Sequence, residues 1–129
     1  MLKTITTWWK NRQQARREAL MFERQVVVSF DDTSLSATFP SGEVQSIAWA
    51  DVDCIAIETN DSGPWGADVW WILEDAATRV AYPQGATGDS EMLDQFSDRF
   101  PGFNNAVVIE AMGCTSNAHF VCWQRGGEA

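Results

Sequence analysis

The chain has 129 residues, 45% of them hydrophobic and 21% charged, which fits one soluble globular domain with a core that needs no disulfide staples. Its formal net charge of −9 argues against a general nucleic-acid binder, because neutralising phosphates takes many Lys and Arg. Val69-Trp70-Trp71-Ile72-Leu73, the longest apolar run, is far short of the roughly 20 residues of a membrane span, and the N-terminus lacks the apolar stretch of a secretory signal.

The charge is unevenly placed. Residues 1–24 hold six bases (Lys3, Lys10, Arg12, Arg16, Arg17, Arg24) and two acids (Glu18, Glu23), a net +4. The remainder sets Arg79, Arg99 and Arg125 against sixteen acids, a net −13. Such a split implies attraction, within the chain or towards a partner. Cys54, Cys114 and Cys122 form an odd set without C-x-x-C spacing, which indicates free thiols in a reducing compartment and hence a cytoplasmic protein.

Residues 4–25 lack Gly and Pro and are rich in helix formers, so a helix is expected there. At 100° per residue Trp8, Ala15, Ala19 and Phe22 share a stripe, with Lys10, Arg17 and Arg24 opposite. Two units follow: an amphipathic basic helix over 1–25 and a single α+β domain over 26–129. From Val26 the pattern has period two. Strands are expected at 25–30, 35–39, 43–49, 52–59, 68–74 and 78–82, punctuated by Asp31-Asp32-Thr33, Pro40-Ser41-Gly42, Ala50-Asp51, Asn60-Asp61-Ser62-Gly63-Pro64 and Asp75-Ala76-Ala77.

Asp89 or Ser90 then caps a helix carrying Met92, Leu93, Phe96 and Phe100, and Pro101-Gly102 ends it. Asn104-Asn105 caps a second short helix through Met112, with a strand as the alternative for Val107-Val108-Ile109. Residues 118–124 read as a last strand and 126–129 as a tail. The fold class is therefore α+β, with a mainly antiparallel sheet of six to seven strands, an N-terminal helix and one or two helices near the C-terminus.

Enzyme chemistry has little support. His119 is the only histidine, and strand alternation points it away from Cys122 and towards the side of Val121 and Trp123, leaving Cys114 as the one local thiol to pair with it. Asp51, Asp53, Asp61 and Asp68 read as turn formers and strand ends rather than a calcium loop, and Glu58 and Glu74 as one of many acidic pairs. Neither a metal nor a cofactor is expected, since no zinc spacing, phosphate loop, dinucleotide fingerprint or nucleophile elbow occurs.

The seven tryptophans are the most unusual feature of the composition. Trp65, set in Gly63-Pro64-Trp65-Gly66, is the first candidate contact residue, joined by Trp70 and by Asp61 and Asp68 on either side of the turn. On the N-terminal helix the candidate contacts are Trp8, Trp9, Phe22, Arg16 and Arg17. The leading expectation is a non-catalytic protein-interaction or binding module, through another protein or self-association, without nucleic acid or stable membrane insertion. A small-molecule or lipid site between sheet and helix, lined by Trp71, Phe96 and Phe100, is the second, and a thiol-dependent enzyme the least favoured.

Ile47-Ala48-Trp49-Ala50-Asp51-Val52 resembles the I-x-W-x-D-[IV] strand transition frequent in bacterial proteins with a pleckstrin-homology-like fold. Together with Thr59-Asn60-Asp61-Ser62-Gly63-Pro64, Val69-Trp70-Trp71-Ile72-Leu73, Pro101-Gly102-Phe103-Asn104 and Phe120-Val121-Cys122-Trp123, it makes the body similar to a family of small uncharacterised bacterial proteins. The resemblance implies a bacterial, cytoplasmic protein and no particular activity. A pleckstrin-homology-like fold would close with a capping helix, where the residues here read as a strand.

Overall fold

In the computed structural model, which describes residues 23–60, 69–114 and 116–126, the period-two stretches after Val26 become seven antiparallel strands. β1 (Val27–Phe30), β2 (Ser34–Thr38) and β3 (Val44–Ala48) form one sheet in that order. The β1–β2 turn closes because one Asp31 oxygen accepts the N–H groups of Thr33 and Ser34, each at 2.8 Å. Those bonds, with the Thr33 backbone bond foremost, hold the Asp31 carboxyl below its ordinary value.

The strands do not form the single sheet expected. After β3 the chain makes one 3-10 turn, Trp49–Asp51, and starts a second sheet. This holds β4 (Cys54–Thr59), β5 (Val69–Glu74), β6 (Arg79–Pro83) and β7 (Ala118–Gln124) in the order β6-β5-β4-β7. β4 is central, and its Ile55, Ala56 and Ile57 are wholly buried. The Gln45 side-chain oxygen joins the sheets by accepting the Ala81 N–H of edge strand β6 at 2.9 Å, and Thr87, in the turn after β6, forms an isolated parallel bridge with Val27 of β1 through the backbones of Val26 and Val28. The final strand stands where period two put it, on β4.

Two helices cover the inner face of the second sheet. α1 (Asp89–Arg99) starts at Gly88, with φ +92°, and not at an Asp89 or Ser90 cap. Gly88 lies so close to the Val28 carbonyl that a β-carbon would collide with it, so the cap position is fixed by the approach of β1. Asp89 is inside the first turn, where it accepts the Gly85 N–H at 2.7 Å. α2 (Asn105–Met112) is a helix despite its β-branched run, because Asn104 accepts the N–H groups of Ala106 and Val107 at 3.0 and 3.3 Å.

The core is aromatic. Phe96 is fully buried, with ring centroids at 5.5 Å from Trp71, 5.7 Å from Phe103 and 6.4 Å from Trp49. A register shift in the β4–β7 ladder between Ile55 and Ala56 alters the alternation expected for the last strand. Cys122 is buried in the core, and Trp123 also turns inward to pack 4.6 Å from Phe100, so Trp123 does not share a face with His119.

Two substitutions test this packing by denaturant or thermal unfolding. Phe96→Ala is expected to remove about 3–5 kcal/mol of stability, since the ring is enclosed by those of Trp49, Trp71, Phe100 and Phe103. Tyr82 is wholly buried and, among the described residues, its hydroxyl has no hydrogen-bond partner. Tyr82→Phe should therefore raise stability by about 1 kcal/mol, and a loss of that size would reveal a bond to the hydroxyl.

Candidate functional site

α2 reads Asn-Ala-Val-Val-Ile-Glu-Ala-Met, apolar on every side except at Asn105 and Glu110. A helix on the outside of a two-layer fold has one inward face. Val108 and Ala111 occupy it, and Ile109 and Met112 are left 75% and 40% exposed. Leu93 of α1 is exposed as well, at 37%.

Between the first turns of α1 and the last turn of α2 lies a cleft of about 210 Å³, lined by Trp71, Gln84, Asp89, Ser90, Met92, Leu93, Val108 and Met112. Trp71 stands on the inner face of β5 and donates its indole N–H to the Gln84 side-chain oxygen at 2.7 Å, which fixes the ring at the cleft wall. The cleft is below the roughly 300–1,000 Å³ of a drug-sized site but has room for one apolar side chain. Phe96 and Phe100, expected to line a ligand pocket, are 0% and 4% exposed and fill the core instead. Only Trp71 of that trio borders open space.

The surroundings are acidic. α1 carries Asp89, Glu91, Asp94 and Asp98, and α2 carries Glu110. The body's three arginines are engaged elsewhere. Arg99 lies 4.5 Å over the Trp49 ring at the far end of α1, and Arg79 reaches Glu58 at 3.6 Å. Arg125 holds Asp53 at 2.8 Å and donates to the Ala50 and Val52 carbonyls, each at 2.7 Å.

Of the sequence-derived contact residues, only Trp70 falls within the described part of the chain. It is half-buried on β5, opposite Glu58 and Pro83, on the outer face of the second sheet and away from the cleft. Trp65, Asp61 and Asp68, and the N-terminal Trp8, Trp9, Arg16, Arg17 and Phe22, lie outside the described residues, as does nearly all of the helix expected over 4–25. On the outer face Arg79 stands opposite Glu74 and reaches Glu58 at 3.6 Å, and Ala56 and Ile72 on the same face are 0% and 2% exposed.

Leu93, Ile109 and Met112 were missed as contact residues. The available signal was the apolar run of α2 on both sides of Glu110, longer than one buried face requires.

The thiols and the histidine do not form a catalytic pair. His119 sits 3.3 Å from Glu58 on the outer face, whereas Cys114 lies beside Thr59, which points inward. Bonds from the Ser116 hydroxyl, and secondarily Thr59, lower the Cys114 pKa from its ordinary value. Thr59 has a single hydroxyl proton, and the Ser116 carbonyl at 2.7 Å competes for it against the Cys114 sulfur at 3.5 Å, so Ser116 carries most of the effect. Burial, with a smaller contribution from Cys54, pushes the Cys122 thiol up to about 12. Cys54 is raised by burial and by Glu74 and Asp53.

Among the described residues no group of three or more His, Cys, Asp or Glu is placed to hold a metal ion, and no helix is long and apolar enough to cross a membrane. No family model, curated protein or solved structure matches the chain.

The thiols give a chemical check. At pH 7.5 iodoacetamide should label Cys114 first, because a lowered pKa leaves more thiolate at that pH, then Cys54, with Cys122 reacting only on unfolding. Peptide mapping by mass spectrometry reads the order. Labelling of Cys122 at the rate of Cys114 would show that the β4–β7 bulge opens in the native protein.

Proposed function

We propose that the protein is a non-catalytic binding module that receives an apolar side chain of a cationic, amphipathic segment in the cleft between α1 and α2. The observation that carries this reading is the exposure of Met112 and Leu93, which line a cavity walled by Trp71 and Asp89, and of Ile109 one turn from Met112, with further acids on both helices. A cluster of exposed apolar residues beside a concave site with a polar rim is the usual anatomy of an interaction surface. The acids of α1 and α2 favour a partner with Lys or Arg flanking the anchor. Three free thiols support a cytoplasmic setting.

The test is a photocrosslinking amino acid placed at Ile109 in the cells that make the protein. Val44, 58% exposed on the other sheet, serves as control. Position 109 should give a discrete crosslinked species whose attachment point lies in a basic, apolar-striped segment, and position 44 should not. Crosslinks absent at 109, or the same at both positions, would remove the cleft as the contact surface.

Ile109→Lys separates binding from folding. Because the side chain is 75% exposed, stability should move by no more than about 0.5 kcal/mol while the crosslinked species is lost from a neighbouring probe at Met112.

A further inference from the structure

β7 pairs with β4 and, among the described residues, has no strand on its other side. The ladders show which of its backbone groups face outward. The Gln84 N–H bonds to the Val69 carbonyl at 2.8 Å and the Asp75 N–H to the Thr78 carbonyl at 2.9 Å. Val69, Trp71 and Leu73 therefore turn their backbone groups towards β6, and Trp70, Ile72 and Glu74 turn theirs towards β4. Alternation then gives Cys54, Ala56 and Glu58 to β5 and leaves Ile55, Ile57 and Thr59 for β7, where Trp123, Phe120 and Ala118 stand opposite. The N–H and carbonyl groups of His119 and Val121 point away from the sheet.

The two halves of this edge differ. At the C-terminal half the bulge interrupts the ladder, and the Asn104 N–H takes up the Cys122 carbonyl at 2.9 Å, so the turn after α1 closes the edge. Over residues 118–121 neither device acts. Among the described residues no hydrogen bond from outside the sheet reaches His119 or Val121 backbone, and β7 carries no Lys, Arg, Asp, Glu or Pro to keep another strand away. Where the halves meet lies a recess of about 200 Å³ walled by Pro101, Gly102, Asn104, Val121, Trp123 and Gln124. A strand laid along the open half runs towards this recess and can seat a terminal side chain in it.

The geometry points to the open half of β7 as a second docking surface, separate from the cleft, which takes an extended cationic segment of a partner protein as an added strand. Charge and length select this occupant over a second copy of the chain. Each copy carries −9, so self-pairing sets two anionic bodies side by side. Four residues span only about 13 Å of ladder, too little contact for the roughly 1,200–2,000 Å² that a stable complex of two folded bodies buries. A flexible segment needs no second body against the edge. Glu58 stands beside His119 on the outer face, shared with Arg79, and Glu110 of α2 lies near enough to the start of β7 to act on Cys114. At the other end Arg125 lies 5.8 Å from the Trp123 ring. The partner's Lys or Arg residues thus belong at the Ala118 end and an uncharged residue at the recess.

The experiment uses the nitrogen-15-labelled full chain and reads amide shifts and hydrogen exchange by NMR. The probe is a synthetic octapeptide alternating Lys and Val, compared with the same peptide N-methylated at every backbone nitrogen and with one carrying Glu for Lys. In the free chain the His119 and Val121 amides should exchange fast, at a rate independent of protein concentration. Adding the Lys–Val peptide should shift both amides and slow their exchange, and each altered peptide should bind about tenfold or more weakly. Val121→Pro, which removes an outward donor and leaves the bonds to β4, should weaken binding as much while the Ile109 crosslink persists.

Slow exchange of His119 and Val121 in the free chain would overturn the inference by showing the edge already covered, by a second copy if the slowing fades on dilution. So would peptide-induced shifts confined to Leu93 and Met112, which would assign the probe to the cleft, or no shifts at all. Equal binding of the N-methylated peptide would remove backbone pairing as the mode. Exchange in the free chain needs no substitution, so the outcome does not depend on a variant folding.

Discussion

Trp49 is the contact on which the architecture turns. It stands at the 3-10 corner where the chain leaves the first sheet for the second, and it is 7% exposed. Its ring meets Phe30 of β1 at 6.4 Å, Phe96 of α1 at 6.4 Å, Phe100 at the C-terminal cap of α1 at 6.0 Å, and the Arg99 guanidinium at 4.5 Å. Its indole N–H donates to the Asp31 carbonyl at 2.9 Å. One side chain thereby fixes the angle between two sheets and the seat of α1, and through Phe96 and Phe100 it reaches Trp71, Phe103 and Trp123. Edge-to-face and tilted pairs of this kind add about 0.5–1.5 kcal/mol each beyond the area they bury. The cleft exists because this network places α1 firmly at its Phe96–Phe100 end, away from the turn where α2 terminates.

The same corner explains the charge field. Arg99 is drawn over Trp49, and Arg125 ties the end of β7 to the carbonyls of Ala50 and Val52 at the corner's other side. Arg79 crosses the outer face to Glu58. Each arginine of the body thus braces a turn or a sheet face, and none faces the cleft. These exposed pairs add little stability individually. Their larger effect is on distribution: none of these three arginines lines the cleft, whose wall includes Asp89.

Much of this fold was legible because its signals are local. Period two over residues 35–39, with Leu35, Ala37 and Phe39 on one face, marked a strand, and the Asn104 cap resolved α2 in favour of a helix. The division into two sheets was not legible, because it depends on Trp49 turning the chain and on Gln45 meeting Ala81, residues 36 positions apart. The inward turn of Trp123 was hidden for a similar reason, since a bulge is a property of the ladder with β4 and not of β7 alone. Trp70 could be placed on a strand but not on a face away from the cleft. The cleft itself required knowing that α1 and α2 lie side by side, although the surplus of apolar residues on α2 was in plain view.

That surplus also bears on what covers it. Burying the exposed parts of Ile109, Met112 and Leu93 would gain roughly 3 kcal/mol in all, taking about 1.5–3 kcal/mol for a complete side chain. A separate molecule docking here loses about 4–15 kcal/mol of translational and rotational freedom, so this patch alone does not hold it. It needs an anchor in the Trp71 cleft and cationic flanks as well.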